Sequence, residues 1–409
     1  MLIGIDQVLL DVIVPIDDDP KILERYQIQP LSQCLAEERH MPLVKEALAG
    51  VESGKASACP GGVIANSLRA GSWWLKKQSN TAVAPRRVML GRIGQDSAGK
   101  RLQEEISASG VEPMFDQARD TGDADAESSS GTCCCFLAEK ARTMVTHLGA
   151  SKTLNLSGTS ECPSFDSRMD LLNPDSTPET SLTGVQPWVV LVSGFYVQAD
   201  PAGVAAVRSW CSKRHITAAG QIVPGLAMTV GAEWCTELEP VQAAARSADF
   251  TFANEAEVMH LASSICKASS KPVAPDYDAA MLVIAKWKER GWMIGTRGSK
   301  GVGYIHVTDG EVRMLQVPPV PPEEFKDDVG AGDAFMGGFV EAIWQRLHAL
   351  AKGAGNPYPS EAAEGRKRKL EEDASLVDGL KSADIEDAVR AGITAAAACI
   401  RCSGCQFPS

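Results

Sequence analysis

The stretch "KDDVGAGDAFMGGF", residues 326–339, sets three aspartates around a Gly-Ala-Gly turn, and the apolar run "AFMGGFVEAIWQRLHAL" follows at once. A helix that begins there presents unpaired backbone N–H groups and the positive end of its dipole. Such a terminus stabilises a phosphate, or the charge that develops on a phosphoryl group in transfer. Gly330, Ala331 and Gly332 let the backbone approach an anion closely. A carboxylate beside that anion, Asp333, has natural work in accepting the proton of an attacking hydroxyl. Taken alone, the stretch reads equally well as an Asp-capped helix behind a tight turn.

Three further stretches carry compatible chemistry. "GTRGSKGVGY", residues 295–304, follows the apolar "WMIG" and puts Thr296, Gly298, Gly301 and a lysine in a loop suited to nucleotide phosphates. "FANEAEV" spaces Asn254 and Glu257 three apart, on one face of a helical turn, where an amide and a carboxylate could organise hydrated magnesium near phosphates. "CPGGVIANSLRAG" joins Gly61 and Gly62 to Asn66 at the start of an apparent helix.

The elements that must position these residues alternate between short apolar runs and amphipathic stretches: "RRVMLGRIG" then "SAGKRLQEEISASG", "WVVLVSGFYV" then "PAGVAAVRSWCSKR". That rhythm predicts an α/β fold, a doubly wound, mostly parallel sheet covered by helices on both faces. The early part departs from it, because "VLLDVIVPI" and "GTCCCFLAEKARTMVTHLG" look like longer strands joined by turns, as in a small projecting sheet. "MLIGIDQVLLDVIV" reads as one buried first strand and lacks the basic start and cleavage site of a secretory signal. Residues 119–130 and 351–379 read as surface insertions, and 163–187 as a third loop. The run "RKRK", 366–369, has the composition of a nuclear-import signal, although a solvated charge run is the default.

Composition narrows the classes. The chain has 409 residues, 44% hydrophobic and 22% charged, with a net charge of −12 and no dominant basic block, which disfavours a nucleic-acid partner. No apolar run reaches the roughly 20 residues that span a bilayer. Twelve cysteines in so long a chain, three of them consecutive at 133–135, fit a reducing cytoplasmic setting better than a disulfide framework. Cys399, Cys402 and Cys405 have metal-like spacing, yet a closed zinc site needs four ligands, so buried thiols are the expectation.

Read together and in order, "PGGVIANSLRAGSWWL", "GRIGQDSAGKRL", "VSGFYV", "FANEAEV" and "DDVGAGDAFMGGF" resemble the motifs of the ribokinase-type (PfkB) carbohydrate and nucleoside kinases. The resemblance spans nearly the whole chain, and the first forty residues and the closing "SGCQFP" are most similar to the adenosine-kinase branch of that family. It implies a ribokinase-like domain that holds ATP, with a small β-sheet lid drawn from about 8–30, 55–62 and 111–148. Adenosine would be phosphorylated by Mg-ATP on its 5'-hydroxyl, or another nucleoside or sugar would take its place; the chain would be a monomer.

The resemblance also assigns roles. Asp333 is similar to the general base, and Gly330, Ala331 and Gly332 to the backbone anion hole. Asp11 matches the aspartate that grips the ribose hydroxyls; Gly61, Gly62 and Asn66 match further sugar contacts. Arg142 matches a lid arginine that meets the transferred phosphate. Thr296, Gly298, Gly301 and Asn254 match the ATP phosphate loop, Glu257 the magnesium network, and Asp327 a position near a monovalent-cation site that would take potassium. Asp328 stands where the family usually has Thr or Ser, Val63 where a small polar residue is common, and Gly225, after Pro224, where an aromatic is expected near the purine.

Overall fold

The segments "LIGI" and "RVMLGRI" are apolar or buried at every position, as suits strands covered on both faces. In the computed structural model, which describes residues 1–16, 19, 21–78, 83–119, 128–138, 141–159, 161–172, 185–213, 215–217, 220–270, 272–353, 379–402 and 404–408, they pair side by side. The strands run β1 Leu2–Ile5, β2 Leu9–Pro15, β3 Gln33–Leu35, β4 Ser57–Gly61, β5 Arg87–Ile93, β6 Glu112–Gln117, β7 Gly131–Ala138 and β8 Ala141–His147. They continue as β9 Val185–Ser193, β10 His215–Thr217, β11 Gly220–Thr229, β12 Phe250–Asn254, β13 Trp292–Thr296, β14 Val302–His306 and β15 Arg313–Leu315.

Among the described residues a ten-stranded sheet has the order β15-β14-β13-β12-β11-β9-β1-β5-β6, with β10 hairpinned onto β11. From β13 to β6 every neighbour is parallel; β14 and β15 extend the edge antiparallel. A second, five-stranded sheet has the order β3-β8-β7-β2-β4. The start of the chain is thus two strands in two sheets, because the buried Asp6 and Gln7 interrupt the apolar run between β1 and β2. The small sheet also takes in Gln33–Leu35, beyond the segments expected for a lid, while Glu112–Gln117 pairs with β5 at the edge of the large sheet.

Alternation along the strands feeds two cores. Leu2, Val189 and Leu191 face one cluster, with Phe250, Phe252, Phe335 and Phe339; Ile3, Ile5, Val190 and Val192 face the other, with Met228 and Ile284. Four helices matter below: α1 Val63–Lys77, α2 Glu255–Ala268, α3 Ala331–Gly353 and α4 Ser382–Cys399. Helix α3 lies between α1 and α4, and the glycine pair within it explains how closely. A Cβ on Gly337 would stand 2.0 Å from the Ser67 carbonyl oxygen of α1, and one on Gly338 would stand 2.6 Å from that of Ala391 in α4.

The segment 163–187 is not all loop, since Phe165–Leu172 is helical with Phe165, Met169 and Leu172 buried. Residues 120–127 and 354–378, most of the two expected insertions, and the basic run 366–369 lie outside the described residues. No helix among those described is long and apolar enough to cross a membrane.

Candidate active site

Strands β1, β9, β12 and β13 end along one edge of the large sheet, which carries Asp6, Ser193, Asn254 and Thr296. In open α/β sheets this carboxyl edge is where ligands sit. Asp333 stands there, in the first turn of α3, half-buried. Its Oδ2 accepts from Asn66 Nδ2 at 3.0 Å. Burial, reinforced by the negative charges of Asp6 and Glu257, pushes its carboxyl up to about 7, against the lowering effect of the Asn66 bond.

The turn before Asp333 is shaped as an anion cradle. Gly330 has φ of 71°, and Cys405 packs so closely that a Cβ at 330 would sit 2.5 Å from its Sγ. The Ala331 amide donates to the Asp328 carbonyl at 3.2 Å and the Ala334 amide to that of Gly330 at 2.7 Å. The amides of Gly330, Gly332 and Asp333 have no backbone acceptor among the described residues, which leaves them for an anion. Cys399 and Cys405 are buried with Ala70, Ala334 and Ala395 beneath this turn, and Cys399 Sγ reaches the Val329 carbonyl at 3.3 Å.

Asp11, on β2 of the small sheet, faces the same space. Burial pushes its carboxyl up to about 7, helped by the charge of Asp333 and opposed by Arg69. A Cβ at Gly61 would stand 2.2 Å from Asp11 Oδ1, so any side chain there would push the carboxylate from its place. Asn66 is buried and its Oδ1 accepts from Arg69 Nη1 at 3.1 Å, so one amide links a fixed guanidinium to Asp333. Arg69 is held in turn by the Pro60 carbonyl at 2.8 Å.

Gly62 stands immediately before α1 at φ 93°. No side chain of its own caps that helix; Asp6 does so from 58 residues away, accepting from the Ile64 amide at 3.1 Å. Asp6 also accepts from the Gln7 amide at 2.9 Å and from Ser193 Oγ at 2.5 Å. Burial nevertheless raises it to about 6. Asp6 and Ser193 escaped the sequence reading because they meet across 187 residues, whereas Arg69, three residues from Asn66 on the same helix, had a local signal in its spacing.

Asn254 and Glu257 are engaged with each other. Asn254 is the N-cap of α2: its Oδ1 accepts from the Glu257 amide at 3.0 Å, while its own amide and Nδ2 donate to the Glu257 carboxylate at 3.0 and 2.7 Å. Buried Glu257 is raised by desolvation. Both its oxygens are in use, so it suits an indirect, water-mediated link to magnesium better than direct ligation. No group of three acids, thiols or imidazoles among the described residues is placed to hold a metal directly, so magnesium here would be held through water and the ATP phosphates.

Thr296 is the register partner of Asn254, and Gly298 and Gly301 take φ of 55° and 111° in the turn beyond it. The two basic side chains of that turn, Arg297 and Lys300, both bind Glu255, at 2.8 and 2.9 Å.

Arg142 crosses from β8 to the turn of α3. Its Nη2 lies 3.2 Å from Asp327 Oδ1 and 2.6 Å from Asp328 Oδ1. Asp327 also accepts from the amides of Val329 and Gly404, each at 3.0 Å, which ties the chain end to the turn. One oxygen of Asp327 thus serves the Val329 amide and Arg142, and the other serves the Gly404 amide.

The expected place of Gly225 near a purine is corrected. It lies within β11 opposite Val189, four residues before the strand end at Thr229, or roughly 13 Å along the strand. The aromatic surface at the correct edge is Phe195 with the half-exposed Trp234, ring centroids 5.9 Å apart, just beyond the ends of β9 and β11.

Comparison with known proteins fits this geometry. The pattern of the pfkB family carbohydrate kinases matches residues 187–409, more than half of the chain and the part that includes the turn before Asp333. The chain belongs to that family. It is also 23% identical over 410 residues to adenosine kinase 2 of Arabidopsis thaliana, covering 100% of this chain and 96% of the relative. Among solved structures, Anopheles gambiae adenosine kinase in complex with P1,P4-di(adenosine-5) tetraphosphate superposes with a TM-score of 0.68 at 23% identity, covering 100% of this chain and 98% of that one. Adenosine kinase from Schistosoma mansoni in complex with adenosine and AMP gives 0.67 at 20% identity, with 100% and 97% covered. At these identities the structural likeness establishes the ribokinase-like fold of this kinase.

Proposed function

We propose that the chain transfers the γ-phosphate of ATP to the 5'-hydroxyl of adenosine, giving AMP and ADP. The observation that carries this reading is the carboxyl of Asp333, fixed by Asn66 beside the open amides of the α3 turn and facing Asp11 across the cleft. Full-length likeness to adenosine kinases supports the choice of nucleoside. Asp11 would hold the ribose hydroxyls through its two oxygens, placing the 5'-hydroxyl at Asp333. Phe195 and Trp234 offer ring faces of the kind a purine stacks on.

Asp333 takes the hydroxyl proton as the oxygen attacks phosphorus, and the amides of Gly330 and Gly332 stabilise charge on the transferring group. With a carboxyl near 7, Asp333 has both forms within reach at neutral pH and is basic enough to accept that proton. Bound magnesium would screen the ATP phosphates and hold them in line. Arg142 would meet the phosphate from the small sheet, which acts as a lid that limits access of water.

The test is ADP release from Mg-ATP by purified protein with adenosine, inosine, guanosine, ribose and fructose as acceptors. Turnover with adenosine above the other four is expected. Turnover with another member alone would keep the chemistry and overturn the substrate. Tight adenosine binding without turnover on any acceptor would make the protein a nucleoside-binding sensor.

A further inference from the structure

The lid arginine is already occupied. Arg142 sits between a fixed carboxylate, Asp327, whose side chain is 16% exposed, and a loose one, Asp328, whose side chain is 71% exposed. Asp327 has two backbone donors of its own and stays where it is. Asp328 has no side-chain partner but Arg142 among the described residues, and its carbonyl closes the turn that holds the Ala331 amide. The guanidinium and two carboxylates leave a net negative charge at the rim of a cradle built for anions.

We propose that Asp328 is a positioning residue that acts through Arg142: it holds the arginine on the turn while the site is empty, and an incoming nucleotide phosphate must displace it. This rests on the kinase reading above. A phosphate is doubly disfavoured while Asp328 is in place, because its natural cation is taken and a like charge stands beside it. Once the phosphate is seated, Arg142 turns to it and Asp328 moves into solvent, where its exposure lets it hydrate. An uncharged residue at 328 would leave the arginine held by Asp327 alone, a longer contact that a phosphate displaces more easily.

The measurement is the affinity for Mg-AMPPNP by isothermal titration, together with the KM for ATP and kcat, for the native chain, Asp328→Asn, Asp328→Glu, Arg142→Gln and the double variant Asp328→Asn/Arg142→Gln. Asp328→Asn is expected to tighten AMPPNP by about two- to fivefold, the range one exposed ion pair spans, and to lower the KM for ATP with a smaller change in kcat. Asp328→Glu should behave like the native chain, and raised salt should shrink the difference. In the Arg142→Gln background the gain should fall to what like-charge relief alone supplies, well below that seen with the arginine present. An equal gain with and without Arg142, or weaker binding in Asp328→Asn, would overturn the inference. Nucleotide binding without phosphoryl transfer would overturn only the kinase reading, whereas a native chain that binds no AMPPNP would overturn both.

Discussion

The two ends of the large sheet carry buried charge in different ways. At the end where β12 begins, Lys288 Nζ donates to the carbonyls of Ala245 and Ala248 at 2.6 and 3.0 Å and to Thr251 Oγ1 at 2.7 Å. Asp249 pairs with Arg290 at 3.0 Å and accepts from the Leu226 amide at 2.7 Å. A cavity of about 660 Å³ lined by Arg208, Cys211, Asp249 and Arg290 opens there, and Gly225 lies beside Asp249. Burial lowers Lys288 to about 7, yet its amine already has three acceptors within the fold, and Asp249 has both a cation and an amide donor.

At the carboxyl edge the balance is left open. Asp333 has one amide donor, Asp11 has no hydrogen-bond partner among the described residues, and both carboxyls rise to about 7. Asp6 marks the boundary between the two modes, with three donors and a carboxyl raised only to about 6. A buried acid that lacks donors is poised for a proton or a substrate; one that has them is structural.

Substitutions at the two ends should therefore separate activity from stability. The largest effect is expected for Asp333→Asn, which should lower kcat by about 10²- to 10⁴-fold, the usual contribution of a general base, without lowering the melting temperature. The amide removes a desolvated carboxylate, so the folded state loses a cost and the enzyme loses its base. Lys288→Ala should do the reverse: urea unfolding should show a loss of about 2–3 kcal/mol, for the acceptors left bare, while kcat of the folded protein changes less than twofold.

Asn66→Ala sharpens the account of Asp333. Loss of a hydrogen bond to the charged form should lower kcat about tenfold and move the acid limb of the rate profile to higher pH. Ser193→Ala should have the smallest effect, a stability loss of about 1 kcal/mol at pH 8 and less at pH 5. The sign follows from Asp6: its folded pKa is raised from 3.8 to about 6, so the stability it lends is present at low pH and lost as pH rises through 6. Above that, the Ser193 bond is one of three supports for the buried carboxylate.

Much of this was legible in the chain because it is local. The parallel order follows from alternating apolar and amphipathic runs, and the α3 turn announces itself in "GAGD". The glycine pair at 337–338 stands in the sequence, but its reason, the approach of α1 and α4, is tertiary. Asp6 lies 58 residues from the amide it caps, and Arg142 lies 186 from Asp328, so neither pairing has a sequence signal. Gly225 misled for another reason: only the family resemblance placed it near the purine, and β11 runs straight through Pro224 and Gly225. The break between β1 and β2 was hidden because Asp6 and Gln7 interrupt the apolar pattern so briefly.

The central claim is that Asp333 works as a base whose carboxyl is raised to near neutrality by its surroundings. It is tested most directly by the pH dependence of kcat/KM for adenosine under saturating Mg-ATP. A limb that rises with pH through about 7, where Asp333 sheds its proton and Asp11 titrates in the same range, is the expected result. A profile that stays flat from about pH 5.5 to 8.5 in an active enzyme would contradict it.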